Sequence, residues 1–202
     1  MLRCHITDRR QLPSRDALLD AIARNLAAGV EWIQIREKDL SARDLFDLVQ
    51  CARALPNPAA TKVLVNTRVD VALAAGAEGA HLPSGSPAPR HWRAITPFHF
   101  LIGVSCHTLE EARAAEHDGA DYIFFGPVFA PRSKPSNLPP RGLDQLAQVA
   151  HSVGIPVLAL GGITVENAVS CIQAGAAGVA GIRLFQENEM REVVSKLRSV
   201  GR

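Results

Sequence analysis

The chain reads as a closed parallel barrel, a single (β/α)8 TIM-barrel domain of α/β class over residues 1–202. Three observations lead there. Eight short apolar segments alternate with amphipathic stretches of helical period. Several of those segments lack in–out alternation, as expected of strands covered on both faces. Glycines at 29, 76, 119, 154 and 175 each fall between a helical stretch and the next strand, where a left-handed residue closes a helix without a Cβ clash. The connections are short, as a barrel near the lower size limit of its class requires. An open doubly wound sheet would show five or six strands and a glycine-rich first turn, whereas the first turn here reads TDRRQLPS.

In chain order, strands are expected over 2–7 (LRCHIT), 32–36 (WIQIR), 62–66 (KVLVN) and 79–82 (GAHL), then over 100–105 (FLIGVS), 122–126 (YIFFG), 156–160 (PVLAL) and 178–182 (GVAGI). Helices are expected near 15–28, 41–54, 68–75, 87–94, 108–118, 142–153, 164–174 and 187–199. Ser41 with Asp44, and Thr108 with Glu111, have the spacing of N-terminal capping pairs.

Composition excludes several function classes. Lys plus Arg total 22 against 20 for Asp plus Glu, a net charge of +2, which gives no reason to expect nucleic acid or a membrane surface as partner. No apolar run approaches the ~20 residues of a membrane span. The opening LRCHIT is too short for a secretory leader, so a cytoplasmic location is expected. Cys4, Cys51, Cys106 and Cys171 lie far apart with no CxxC spacing and read as buried free thiols; no metal site is expected from them. Oligomeric state is not legible, and a homo-oligomer stays open.

In such a barrel the chemistry sits where the strands end. Polar and charged groups gather there: TDRR, QIREKD, VNTR, HLPSGS, SCHT, LGGIT and GIRLF. Gln34, Arg36 and Lys38 alternate along the second strand, so their side chains share a face. If that face is the lumen, two like charges there need an acid such as Glu37, or an anionic ligand. The segment 127–141 carries five prolines, three basic residues and no acid, which suits an anion. Gly161–Gly162 open a strand-to-helix turn whose backbone N–H groups suit a phosphate, and GIRLF after the last strand offers a second such turn. A phosphate ester is the expected ligand. His107 lies just past the fifth strand and before the Thr108 cap, where a helix start disfavours the imidazolium. A neutral imidazole there can accept a proton. His81 ends the fourth strand and His5 lies in the first, where it is expected to face inward.

The ordered set ITDR, QIREK, VNTRVDVALAAGAEGAHL, IGVSCHTLEEARAAEHDGADYIFFGPVF and PVLALGGIT resembles the thiamine phosphate synthase superfamily over nearly the whole chain. That resemblance implies a (β/α)8 enzyme of one of two kinds. A thiamine phosphate synthase joins a pyrimidine pyrophosphate to a thiazole phosphate with Mg2+. A TenI-type thiazole tautomerase isomerises a thiazole carboxylate phosphate without a metal.

Carried over by motif, the resemblance gives substrate-binding roles to Gln34, Arg36, Lys38, Asn66, Ser105, Ser133 and Lys134. It gives phosphate-binding roles to Gly161, Gly162, Ile182 and Arg183. The synthase's magnesium-binding aspartates fall on Thr67 and Ser86, neither of them anionic. LPSGS resembles the tautomerase branch, in which the residue matching His107 is the acid/base. The resulting expectation is a tautomerase with His107 as catalytic proton carrier, no cofactor and a phosphorylated thiazole as small-molecule partner. A synthase with Mg2+, or a non-catalytic thiazole- or thiamine-phosphate-binding regulatory protein, are the alternatives.

Overall fold

The computed structural model describes residues 1–130, 138–188 and 193–195. Eight parallel strands close a barrel in chain order: β1 (Leu2–Ile6), β2 (Trp32–Ile35), β3 (Lys62–Asn66), β4 (Gly79–Leu82), β5 (Leu101–Cys106), β6 (Tyr122–Phe125), β7 (Val157–Leu160) and β8 (Gly178–Gly181). The barrel closes where Cys4 of β1 pairs with Ala180 of β8. Helices α1 (Arg15–Ala28), α2 (Ala42–Arg53), α3 (Val69–Ala74), α4 (Pro89–Arg93), α5 (Leu109–His117), α6 (Gly142–Ala150), α7 (Val165–Gln173) and α8 (Arg183–Gln186) follow the strands in turn.

Period-2 geometry divides the apolar residues between two cores. Cys4, Ile6, Trp32, Leu64, Tyr122, Phe124, Leu158 and Ala180 pack together as one cluster filling the lumen. Their neighbours in sequence, such as Ile33, Val63, Ile123 and Val179, join the larger cluster between sheet and helices. α1 shows how a helix meets that outer cluster. Leu18, Ala21, Ile22, Asn25 and Leu26 are its buried residues, one stripe at helical spacing. Each large apolar side chain so buried is worth roughly 1.5–3 kcal/mol of transfer free energy.

The ends differ from expectation in places. Ser41 caps α2 by accepting from the Asp44 N–H at 3.1 Å. Thr108 caps α5 by accepting from the Glu111 N–H, but the Glu111 carboxylate reaches past it to the His107 N–H at 2.6 Å. The reciprocal capping box is instead at Thr164 and Asn167 on α7. Gly29, Gly76, Gly119 and Gly175 take positive φ between 70° and 95°; Gly154 does not, and its N–H is held by the Glu116 carboxylate. A short helix, α8, lies directly after β8 and ahead of the expected 187–199 helix; of that later span residues 193–195 are helical, and most of the rest lies outside the described residues. Cys106 packs in the outer core, whereas Cys51 is exposed on α2 and corrects the expectation of four buried thiols. His5 points away from the lumen, toward Phe185, because its neighbours Cys4 and Ile6 take the inward positions. No helix among the described residues is long and apolar enough to cross a membrane.

Candidate active site

Two anion-seeking regions face each other across the C-terminal mouth of the barrel. The first is at the ends of β2 and β3. Thr7, just past β1, sets its backbone: the hydroxyl accepts from the Arg36 N–H at 2.9 Å and donates to Glu37 Oε1 at 2.6 Å. Glu37 therefore turns toward β1, where it also accepts from the Arg9 N–H at 3.1 Å. Burial pushes its carboxyl above the ordinary value, against the pull of these hydrogen bonds. The sequence suggested Glu37 as counter-ion to Arg36 and Lys38, and the structure gives it a different role, because the Thr7 hydroxyl reaches it first.

Arg36 and Lys38 are left as adjacent cations. Among the described residues neither has a carboxylate within ion-pair distance. The Arg36 charge, ahead of burial, lowers the Lys38 ammonium below its usual value. Two uncompensated like charges at a site mouth are costly unless an anion joins them. Beneath them, Gln34 Nε2 donates to Asn66 Oδ1 at 2.8 Å, and Asn66 Nδ2 donates to Thr67 Oγ1 at 2.7 Å. Gln34 Oε1 is buried without a partner among the described residues.

The second region lies between β7 and β8. A cavity of about 470 Å³ is lined there by Gly161, Gly162, Thr164, Ile182 and Arg183, among others. Gly161 and Gly162 have φ of 93° and 63°. A Cβ at Gly161 would stand 2.6 Å from Pro127, and one at Gly162 would stand 2.7 Å from the Ala130 carbonyl. The glycines are thus demanded twice, by left-handed backbone and by the segment after β6. That segment is laced to β7 by the Val128 N–H on the Leu160 carbonyl and the Phe129 N–H on the Gly161 carbonyl, at 2.8 and 3.1 Å. Ile182 and Arg183 sit where the sequence put them, but the Arg183 guanidinium is occupied by Glu187 at 2.6 Å. The backbone, not that cation, is what the cavity offers a phosphate. Ser133 and Lys134 lie outside the described residues.

Between the regions stands β5. Ser105 lies on its inner face, bonded to His81, and His107 lies just past its end. His107 Nδ1 meets the Gly126 carbonyl at 2.5 Å. A carbonyl can only accept, so Nδ1 carries the proton, and in the neutral ring Nε2 keeps its lone pair. Ser105 Oγ meets His81 Nε2 at 2.8 Å, and His81 Nδ1 meets the Tyr122 hydroxyl at 3.2 Å. Sequence reasoning missed this buried link; its only trace was the shared inward parity of 81, 105 and 122.

The residues do not suit a magnesium ion held by the protein. Thr67 and Ser86, at the positions where the synthase pattern has aspartates, supply neutral hydroxyls, and Thr67 Oγ1 already accepts from Asn66. Asp70 is engaged by Arg68 at 2.5 Å. Among the described residues no group of three or more His, Cys, Asp or Glu converges. A hard divalent cation prefers anionic oxygens, which these positions do not supply. Thr67 has φ 65°, a conformation rare for a β-branched residue and easier for aspartate or asparagine. The backbone keeps the shape while the carboxylate is missing.

Comparison with known proteins bears on the chemistry. The family model described as thiamine monophosphate synthase matches residues 4–185. A relative from Geobacter sulfurreducens, carrying the name thiamine-phosphate synthase provisionally, is 48% identical over 176 residues, covering 87% of this chain and 82% of its own. A thiamine-phosphate synthase from Roseiflexus sp. is 46% identical over 176 residues, covering 87% and 74%. The structure of a thiamine phosphate pyrophosphorylase from Pyrococcus furiosus superposes with a TM-score of 0.84 at 32% identity, covering 98% of this chain and 94% of that one. These relatives overturn the expectation of a tautomerase. That expectation leaned on the missing aspartates and on His107, and both features occur here within a chain whose relatives are named for the synthase.

Proposed function

Because the chain belongs to the thiamine monophosphate synthase family, we propose that it is a transferase that joins a pyrimidine pyrophosphate to a thiazole phosphate. It is an enzyme of thiamine biosynthesis with phosphorylated small molecules as substrates. The observation that carries the transferase reading is the presence of two separate anion-seeking regions at one mouth. A tautomerase would hold one phosphate and one carboxylate, and a single carboxylate does not call for two adjacent cations, whereas a diphosphate does.

In this reading the cavity of Gly161, Gly162 and Ile182 takes the thiazole phosphate on backbone N–H groups, the α7 N-terminus adding its dipole. Arg36 and Lys38, with Gln34 and Asn66, take the diphosphate of the pyrimidine. Ser133 and Lys134, by motif, would also bind it. As the new bond to the thiazole forms, the bond between the pyrimidine's carbon and the diphosphate oxygen breaks. Negative charge grows on the departing oxygen, and fixed cations stabilise that charge more in the transition state than in the ground state. The cost of keeping Arg36 and Lys38 together without an acid is offset at that moment. No proton need move, so His107 serves as a ligand contact through Nε2 rather than as an acid/base.

The test is a turnover assay with both substrates. Thiamine phosphate and pyrophosphate should appear together, and production should collapse in Arg36→Ala. Isomerisation of a thiazole carboxylate phosphate with no condensation product would overturn the reading.

A further inference from the structure

The lumen holds one polar line that the proposed reaction has not used. Tyr122 and His81 are 0% and 2% exposed. The Tyr122 ring fits against Gly103, its register partner on β5: a Cβ there would stand 2.0 Å from the ring. His81 stacks on Phe124 with ring centroids 4.1 Å apart. Burial, helped by the Arg36 charge, pushes His81 down to about 3, and burial keeps the Tyr122 phenol protonated. So at neutral pH the line runs from a phenol through a neutral imidazole to the Ser105 hydroxyl.

Its direction follows from the buried end. Among the described residues the Tyr122 hydroxyl has one hydrogen-bond partner, His81 Nδ1. A buried O–H with nowhere to donate costs more than the bond itself is worth, so the phenol donates to Nδ1. The ring's single proton then sits on Nε2 and is donated to Ser105 Oγ. With a lone pair of Oγ occupied, Ser105's own proton is free to point to the barrel mouth. We infer that Tyr122 and His81 are positioning residues that fix the Ser105 hydroxyl as a donor toward an anionic oxygen of the bound substrate. The inference rests on the proposed function only in taking that oxygen as one of the diphosphate.

The imidazole nitrogens report the direction without any assay. In a nitrogen-15 NMR spectrum of the histidine-labelled full chain, His81 should be Nε2-protonated and His107 Nδ1-protonated. In Tyr122→Phe, which removes the fixed donor, His81 should move toward a mixture of tautomers. Calorimetric titration with inorganic pyrophosphate supplies the second readout. Tyr122→Phe and Ser105→Ala should each weaken binding roughly three- to tenfold, and the double variant no further than Ser105→Ala alone. A packing role for Tyr122 would instead give additive losses.

An Nδ1-protonated His81, additive losses, or no pyrophosphate binding by the unaltered chain would each overturn the inference. If Tyr122→Phe does not fold, the unaltered chain's spectrum still decides. Pyrophosphate binding that follows this pattern, with no condensation turnover, would overturn the synthase reading and leave the positioning role intact.

Discussion

The two regions at the barrel mouth differ in what they offer an anion. At β7–β8 the protein offers backbone: two left-handed glycines, a capped helix start and a cation already neutralised by its own i,i+4 partner. At β2–β3 it offers side chains, Arg36 and Lys38, pushed together without an acid while Glu37 is drawn off by Thr7. A phosphate that stays on its molecule throughout needs position, which rigid backbone supplies. A diphosphate that departs needs charge stabilisation that strengthens as the bond breaks, which uncompensated cations supply.

The largest break in that contrast should come from Arg36→Ala. Loss of a fixed cation from a developing oxyanion is expected to lower kcat/KM by about 10²–10³-fold, chiefly through kcat, in a steady-state assay. A fall confined to KM would make Arg36 a simple binder. The lumen between the regions is tested by acid. His5 and His81 are lowered to about 4 and about 3, by burial first in each case. Both are neutral when folded and charge near 6.5 when unfolded, so their contribution is complete above about pH 7. As pH falls from 6.5 toward 4, each should subtract about 1.4 kcal/mol per pH unit. Denaturant midpoints against pH would read this, and His81→Asn should flatten the slope.

Gly162→Ala sharpens the backbone side. A Cβ 2.7 Å from the Ala130 carbonyl at φ 63° should destabilise the fold by roughly 1–3 kcal/mol and raise the KM for the thiazole phosphate, with the pyrimidine KM little changed. Placing carboxylates on the other side, as Thr67→Asp with Ser86→Asp, should raise the affinity for magnesium in the presence of inorganic pyrophosphate by about tenfold over the unaltered chain in a calorimetric titration, given the affinity carboxylates add for a hard cation. Unchanged magnesium response would mean that these positions do not face the diphosphate. Smallest of all, Arg183→Ala should change kcat/KM by no more than about fivefold, since an exposed ion pair is worth at most ~1 kcal/mol.

The barrel was legible because short apolar strand segments, repeated eight times, and the left-handed glycines that follow four of the helices are local properties. The Gly161–Gly162 turn was legible for the same reason, since turn chemistry acts within a few residues, whereas the Gln34–Asn66 bond spans 32 residues and Asn66 entered only through the family resemblance. Glu37 was misread as a counter-ion because its partner, Thr7, lies 30 residues away in sequence on the adjoining strand end. The His81–Tyr122 bond spans 41 residues and depends on the register that pairs β4, β5 and β6, which no local pattern encodes. The preference for a tautomerase came from two absent carboxylates. Absence of one means of binding an anion is weak evidence against the reaction when adjacent cations remain.

Gly103 and Tyr122 occupy one volume between them, so evolution can alter them only in concert. A lineage that gains any side chain at 103 must shrink the ring at 122, and the phenol would be lost in the same exchange. Across relatives, a glycine at the first position should therefore travel with tyrosine at the second, and a mismatch should mark chains in which the serine's hydroxyl is oriented by other means.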